Sequence, residues 1–184
     1  MKPGLYIVST PIGNLDDIGI RAQKTLVDAD IIICENPKHS SKLLSKLGIK
    51  KKLYSLHDYN ENKIISKIEN YAQNKSIALI SDAGSPLISD PGYKLVNFYI
   101  NQGLNLTTIP GPSAVISSLQ LSGMPTDNFK FHGFIPKTKR KIETFIDTLS
   151  KEKNTSIFFV SSHRLLLCLE VLEKKLGNKK ICLC

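Results

Sequence analysis

Four short loops in the first 114 residues contain proline and polar side chains, three of them also contain glycine, and each follows a short apolar run. They are residues 10–15, 35–39, 82–92 and 110–114. Glycine lets a backbone approach a ligand closely, and proline keeps a loop rigid. Any one such loop is typical of an ordinary turn, but four of them together indicate a binding site built from backbone groups, small residues and carboxylates.

The loops lack the two common phosphate-binding motifs. No Gly-x-Gly-x-x-Gly follows the first apolar run, and no Gly-Lys-Ser/Thr occurs in the chain. These motifs supply the phosphate cradle of dinucleotide and nucleoside-triphosphate sites. The loops therefore favour an adenosine ligand without phosphates.

Alternating apolar runs and amphipathic segments predict an α/β fold with a mostly parallel five-stranded sheet. The predicted strands are residues 5–9, 30–34, 52–56, 76–81 and 104–109. Asp90 is predicted to cap a helix that ends at Gly103. Because ligands of open α/β sheets bind beyond the carboxyl ends of the strands, we expect the four loops to meet at one edge.

Turn-forming residues at 123–127 predict a boundary between an N-terminal α/β lobe, residues 1–123, and an incomplete C-terminal α/β lobe, residues 124–184. The second lobe is predicted to hold strands and helices in alternation. The strands are 129–134, 156–160 and 179–184, and the helices are 139–150 and 164–176. The last strand would be an unsupported edge.

The bulk composition favours a globular cytoplasmic protein. The chain carries 25 Lys and Arg against 16 Asp and Glu, a net charge of +9, which either attracts a polyanion or reflects a lysine-rich composition. The apolar runs are too short to span a membrane, and no signal peptide opens the chain. The four cysteines are predicted to be free thiols, and no metal site is expected.

The loop at residues 81–92, with residues 9–17 and 110–114, resembles the ribosomal RNA small-subunit methyltransferase I family within the tetrapyrrole methylases. Residues 133–136 and 161–165 match it too. The resemblance implies a two-lobed tetrapyrrole-methylase-like fold that holds S-adenosylmethionine between its lobes. It also implies methyl transfer to the 2′-oxygen of a cytidine ribose in 16S rRNA of the small ribosomal subunit.

The resemblance also assigns cofactor-binding residues. They are Pro11, Asp82, Ala83, Gly84, Leu87, Ser113, Ala114, Val160 and Ser161. The general base is not identified. Asp82 is a candidate because it follows a strand directly, and the alternative is a carboxylate that accepts hydrogen bonds from loop amides.

Basic side chains and histidines form the candidate RNA contacts. They are His39, Lys137, Lys139, Arg140, Lys141, His163 and Arg164. The alternative interpretation is a solvated helix face and ordinary surface histidines.

The chain differs from the family pattern in three places. Asn36-Pro37-Lys38 stands where the family usually has Asp-Thr-Arg, Val160 replaces a glutamate, and the family continues for several strands beyond Cys184. Three hypotheses follow: an rRNA ribose methyltransferase, apparently shortened; a catalytically impaired RNA- or cofactor-binding remnant; and a tetrapyrrole methylase. An unpaired last strand would also suit a homodimer.

Overall fold

A computed structural model describes all 184 residues, which divide into two compact units, Met1–Ala114 and Val115–Cys184. Helix α5 (Ala114–Ser122) falls almost entirely in unit 2. The boundary predicted from the sequence lies after this helix, between residues 123 and 124. The turn formers at 123–127 end that helix, and a helix end need not coincide with a boundary between units.

Unit 1 is a parallel sheet with helices on both faces, and the predicted α/β class with a five-stranded sheet is confirmed. Its strands are β1 (Gly4–Val8), β2 (Ile31–Cys34), β3 (Leu53–Ser55), β4 (Ser76–Ile80) and β5 (Leu106–Ile109). Its helices are α1 (Ile20–Asp28), α2 (Pro37–Lys46), α3 (Glu61–Ile68) and α4 (Tyr93–Asn101). All neighbouring strands are parallel, in the order β3-β2-β4-β1-β5.

The central strand β4 contributes side chains to both hydrophobic cores of unit 1. Successive side chains of a strand point to opposite faces. Ile77 and Leu79 pack with α3 and α4, while Ala78 and Ile80 pack with α1 and α2. Every residue of β4 is buried, as expected for a parallel strand covered on both faces.

Unit 2 combines α5 with a two-stranded parallel sheet and two further helices. These elements are β6 (Phe129–Phe134), α6 (Lys139–Leu149), β7 (Thr155–Phe159), a 3₁₀ turn (Ser162–Arg164) and α7 (Leu165–Leu176). The core residues are Ile135, Ile142, Ile146, Cys168, Val171 and Leu172. No helix in the chain is long and apolar enough to cross a membrane.

The predicted strand at residues 179–184 is wrong. These residues are exposed and pair with no other strand. Their contacts go elsewhere in unit 2, since the Lys180 ammonium donates to the Gly123 carbonyl over 3.0 Å. An extended apolar run becomes a strand only where a neighbouring strand offers its backbone groups.

Helix α4 begins later than the sequence suggests, and Asp90 does not cap it. The N-cap residue is Gly92, whose φ is 129° and which has no side chain to accept a hydrogen bond. The end was predicted correctly, because Gly103 follows the helix with a φ of 62°. The residues between Asp90 and Tyr93 therefore form a loop, and the carboxylate of Asp90 belongs to that loop and not to the helix.

The cap of α4 comes from another helix. The amides of Lys94 and Leu95 donate to the Glu61 carboxylate over 2.9 and 3.2 Å. Glu61 is the first residue of α3 and is only 5% exposed. A carboxylate at a helix N-terminus satisfies free amides and opposes the helix dipole, so Glu61 fixes the point where the loop at 82–92 ends.

Replacing Glu61 with alanine leaves two amides without their acceptor. We expect Glu61→Ala to lower the free energy of unfolding by about 1–2 kcal/mol, and Glu61→Gln, which keeps one acceptor oxygen, by less. Urea unfolding followed by tyrosine fluorescence measures this, because all six tyrosines lie in unit 1 and the chain has no tryptophan. Glu69→Ala, at an exposed position, is the control. Equal stability of the Glu61→Ala and Glu69→Ala variants would contradict the capping role.

Candidate functional site

The loops after β1 and β4 are joined by a pair of backbone hydrogen bonds. The amide of Thr10 donates to the carbonyl of Gly84 over 2.8 Å, and the amide of Gly84 returns a bond of 3.0 Å to the carbonyl of Thr10. The strands pair in parallel up to Ile7 and Leu79, so both chains leave the sheet side by side. This bridge fixes two of the predicted loops against each other.

Ser85 ties the loop after β5 to the same place. Its Oγ lies 3.0 Å from the Oγ of Ser9 and donates to the carbonyl of Pro112 over 3.3 Å. The amide of Ser9 in turn donates to the carbonyl of Ile109 over 3.2 Å. Three loops thus share one hydrogen-bonded junction at the carboxyl edge of the sheet.

Asp82 connects the loop after β2 to this junction. One carboxylate oxygen of Asp82 accepts from the amide of Asn36 over 3.2 Å. The side chain of Asn36 caps α2 by accepting from the amides of Lys38 and His39. Asp82 therefore accepts a hydrogen bond from one loop amide, and its other oxygen forms no hydrogen bond within the chain. The side chain of His39 is exposed at the start of α2.

The loop at 82–92 holds two non-glycine residues in the left-handed region. The φ angles of Leu87 and Ser89 are 70° and 69°. Each such residue costs roughly 1 kcal/mol or more, and backbone strain of this kind clusters at ligand-binding and catalytic sites. Leu87 is held in place because it packs against the core between the sheet and α3 and α4.

Three carboxylates at this edge have no cationic partner. Burial raises the pKa of Glu35, and the negative charges of Asp90 and Asp82 raise it further. Burial also raises the pKa of Asp90, with Asp82 adding to the effect and a hydrogen bond from Ser81 opposing it. None of the ion pairs of the chain includes these residues. The edge therefore suits a positively charged ligand.

Among these three carboxylates, Glu35 was not predicted individually as a site residue, although it lies in the predicted loop at residues 35–39. It follows β2 directly, as Asp82 follows β4, and the two strands are neighbours in the sheet. The rule that ligands bind at the carboxyl ends of parallel strands would have identified it once the strand order was known.

The other predicted cofactor residues of unit 1 flank the junction. Pro11 is buried next to Thr10, Ser113 is half-buried, and Ala83 and Ala114 are exposed.

In unit 2, the residues that follow β7 have distinct environments. Val160 packs against the core of the unit, whereas the Oγ of Ser161 is buried without a hydrogen-bond partner. His163 is exposed, and the guanidinium of Arg164 donates to the carbonyl of Ile135 over 3.4 Å. A buried hydroxyl without a partner is uncommon, and the hydroxyls of Ser40 and Tyr99 are in the same condition.

The predicted basic cluster lies at the start of α6. All its side chains are exposed and none forms an ion pair: Lys137, Lys139, Arg140 and Lys141. Because β6 and β7 are parallel, the segment after β6 and the turn that carries His163 lie at the same edge of unit 2.

The family model for tetrapyrrole (corrin/porphyrin) methylases matches residues 4–183. The chain belongs to the tetrapyrrole methylase family. The chain is similar to Ribosomal RNA small subunit methyltransferase I of Haemophilus influenzae, with 44% identity over 177 residues, covering 96% of this chain and 62% of the relative. It is also similar to the protein of that name from Rickettsia prowazekii, with 46% identity over 99% of this chain and 65% of the relative. The chain thus spans a little under two thirds of the length of these relatives.

Solved structures agree with the family assignment at the level of the fold. Diphthine synthase superposes with a TM-score of 0.70 and 15% identity over 93% of this chain and 70% of that one. Uroporphyrin-III-C-methyltransferase from Thermus thermophilus superposes with a TM-score of 0.63 and 16% identity, over 95% of this chain and 74% of that one. The predicted tetrapyrrole-methylase fold is therefore confirmed.

The raised pKa of Glu35 makes the stability of unit 1 depend on pH. The folded chain keeps the Glu35 proton to a higher pH than the unfolded chain does, so ionisation as the pH rises above the ordinary glutamate pKa of 4.5 costs wild-type stability. Glu35→Gln cannot ionise and escapes this loss. We expect its stability relative to wild type to be more favourable at pH 7 than at pH 4, in urea unfolding followed by tyrosine fluorescence.

Glu69→Gln controls for the loss of one exposed negative charge at each pH. A relative stability of Glu35→Gln that is equal at both values, or better at pH 4, would contradict the raised pKa.

Proposed function

We propose that the chain is an S-adenosylmethionine-dependent methyltransferase that modifies small-subunit ribosomal RNA at the 2′-oxygen of a cytidine ribose. The observation that carries this proposal is the 41–46% identity, over nearly the whole chain, to relatives named Ribosomal RNA small subunit methyltransferase I. The site geometry supports the cofactor, and the charge of unit 2 supports the substrate.

The residues of unit 1 suit S-adenosylmethionine, a phosphate-free adenosine ligand with a sulfonium and an ammonium group. The unpaired carboxylates of Glu35, Asp82 and Asp90 favour these positive charges. Gly84 has a φ of 79°, a conformation that disfavours other residues, and a Cβ there would approach the Cγ2 of Ile12 to 3.3 Å, so this turn of the loop requires glycine.

When bound, S-adenosylmethionine supplies a methyl group on a positively charged sulfur that is a good leaving group. The protein must hold the ribose hydroxyl in line and accept its proton. Asp82 is the base candidate because one of its oxygens is anchored and the other is available. Glu35 is a second candidate, since a raised pKa makes its carboxylate a stronger proton acceptor than that of an ordinary glutamate.

The substrate proposal rests on the charge of unit 2. This unit holds twelve Lys and Arg against six Asp and Glu, and its basic cluster at Lys137–Lys141 forms no ion pairs. Free cations on one edge release counterions from a phosphate backbone and so provide affinity for RNA. Localisation in the cytoplasm, where ribosomes work, follows from this substrate.

The acceptor atom is tested with small ribosomal subunits that lack the modification and S-adenosylmethionine labelled in its methyl group. A 2′-O-methyl group blocks alkaline cleavage of the adjacent phosphodiester, because the hydroxyl that attacks the phosphorus is gone. We expect the label in alkali-resistant dinucleotides whose 5′ nucleoside is cytidine. Label in mononucleotides would place the methyl group on a base and contradict the ribose assignment.

Asp82→Asn keeps the size of the side chain and removes its charge. We expect the initial rate of transfer to fall about a hundredfold, as for loss of a general base. Asp28→Asn, at an exposed position at the end of α1, should leave the rate unchanged. No transfer by folded wild-type chain would contradict the proposal and favour a non-catalytic binding role. Transfer to a macrocyclic tetrapyrrole in place of RNA would favour the third hypothesis.

A further inference from the structure

Six of the seven phenylalanines lie between residues 129 and 159, and four of them share one face of the sheet of unit 2. We call this surface the aromatic face: Phe129, Phe131, Phe134 and Phe159. The rings of Phe131 and Phe159 are 4.9 Å apart between centroids, and those of Phe134 and Phe159 are 5.3 Å apart. Their tilts of 65° and 62° are those of favourable aromatic pairs.

The opposite face of the same sheet is the one that packs on the helices. There the ring of Phe145 from α6 contacts Phe158 and His132 at 5.5 Å between centroids. Phe145 and Phe158 pack against the core of unit 2, whereas the residues of the aromatic face do not belong to that core. Because side chains alternate along each strand, the rings on one face of the sheet pack into the core of unit 2 and the rings on the other face lie outside it.

A bulge in β6 places Phe134 on the aromatic face. Strict alternation would send Phe134 to the face opposite Phe131, but the pairing with β7 shifts register between them. Gly133 lies in this shift with a φ of 70°, a conformation that disfavours other residues. The bulge returns the ring of Phe134 to the side of Phe159 and leaves it 58% exposed. Bulges commonly re-aim a side chain next to a functional site.

The basic cluster begins three residues after this exposed ring. Lys137 follows Phe134 through Ile135 and Pro136, and the cations of Lys139 and Arg140 form no ion pairs. An exposed ring followed in the chain by free cations suits single-stranded nucleic acid, because bases can stack on the ring while phosphates meet the cations. A protein partner fits less well, since lysine is depleted in protein interfaces.

We propose that the aromatic face stacks a nucleobase of single-stranded RNA on Phe134 while the basic cluster contacts the adjoining phosphates. This inference rests on the proposed function and deepens it, since it assigns an RNA-reading surface to unit 2.

The test is fluorescence anisotropy with a labelled ten-nucleotide single-stranded RNA, in the absence of S-adenosylmethionine. Phe134→Leu should weaken binding about five- to twentyfold. Phe134→Tyr, which keeps the ring, should bind as the wild type does. Ile100→Ala, at a position 57% exposed in unit 1, removes a comparable apolar surface and should change nothing.

Inorganic polyphosphate, which has charge but no bases, separates stacking from attraction between charges. Polyphosphate, added as a competitor, should bind the Phe134→Leu variant as tightly as it binds the wild type. The Lys139→Ala variant should bind both RNA and polyphosphate more weakly, and its affinity for each should depend less on salt concentration. Unchanged RNA affinity in the Phe134→Leu variant, or equal weakening toward polyphosphate, would overturn the proposal. The proposed function could still stand in that case, because methyl transfer to ribosomal subunits is measured separately.

Discussion

Parallel pairing of β4 with both β1 and β2 at the centre of the sheet is the constraint on which the candidate site depends. Parallel strands all end at the same edge, so the loops after these three strands must leave side by side. The bridge between Thr10 and Gly84 and the bond from Asn36 to Asp82 then join loops that are far apart in sequence. The strained conformations at Leu87 and Ser89 are tolerated because this framework holds them.

The two units differ in the charges that they leave unpaired. At the sheet edge of unit 1 these are the carboxylates of Glu35 and Asp90, which a cationic ligand would stabilise. In unit 2 they are the cations at the start of α6, which phosphates would neutralise. This division matches a methyltransferase that needs a sulfonium cofactor and a polyanionic substrate, which is why the proposed function assigns one to each unit.

Much of the fold could be predicted from the sequence because buried parallel strands are apolar runs whose length and flanking turns are local signals. The run that became β4 and the glycine that ends α4 are examples. The cap of α4 could not be predicted, since Glu61 acts across 33 residues and no local pattern records it. Residues 179–184 resemble a strand, but strand formation depends on a neighbour that a local pattern does not reveal. Glu35 became visible as a site residue only with the strand order.

Hydrogen exchange of the intact chain with and without S-adenosylmethionine tests the proposed cofactor site at the carboxyl edge of unit 1. We expect slower amide exchange on addition of this ligand in peptides that cover residues 10–15, 35–39, 82–92 and 110–114. We expect no change in residues 72–75 and 102–105, at the amino edge of the same sheet. Absence of protection at saturating ligand, or protection confined to the amino edge, would show that these loops do not bind the cofactor.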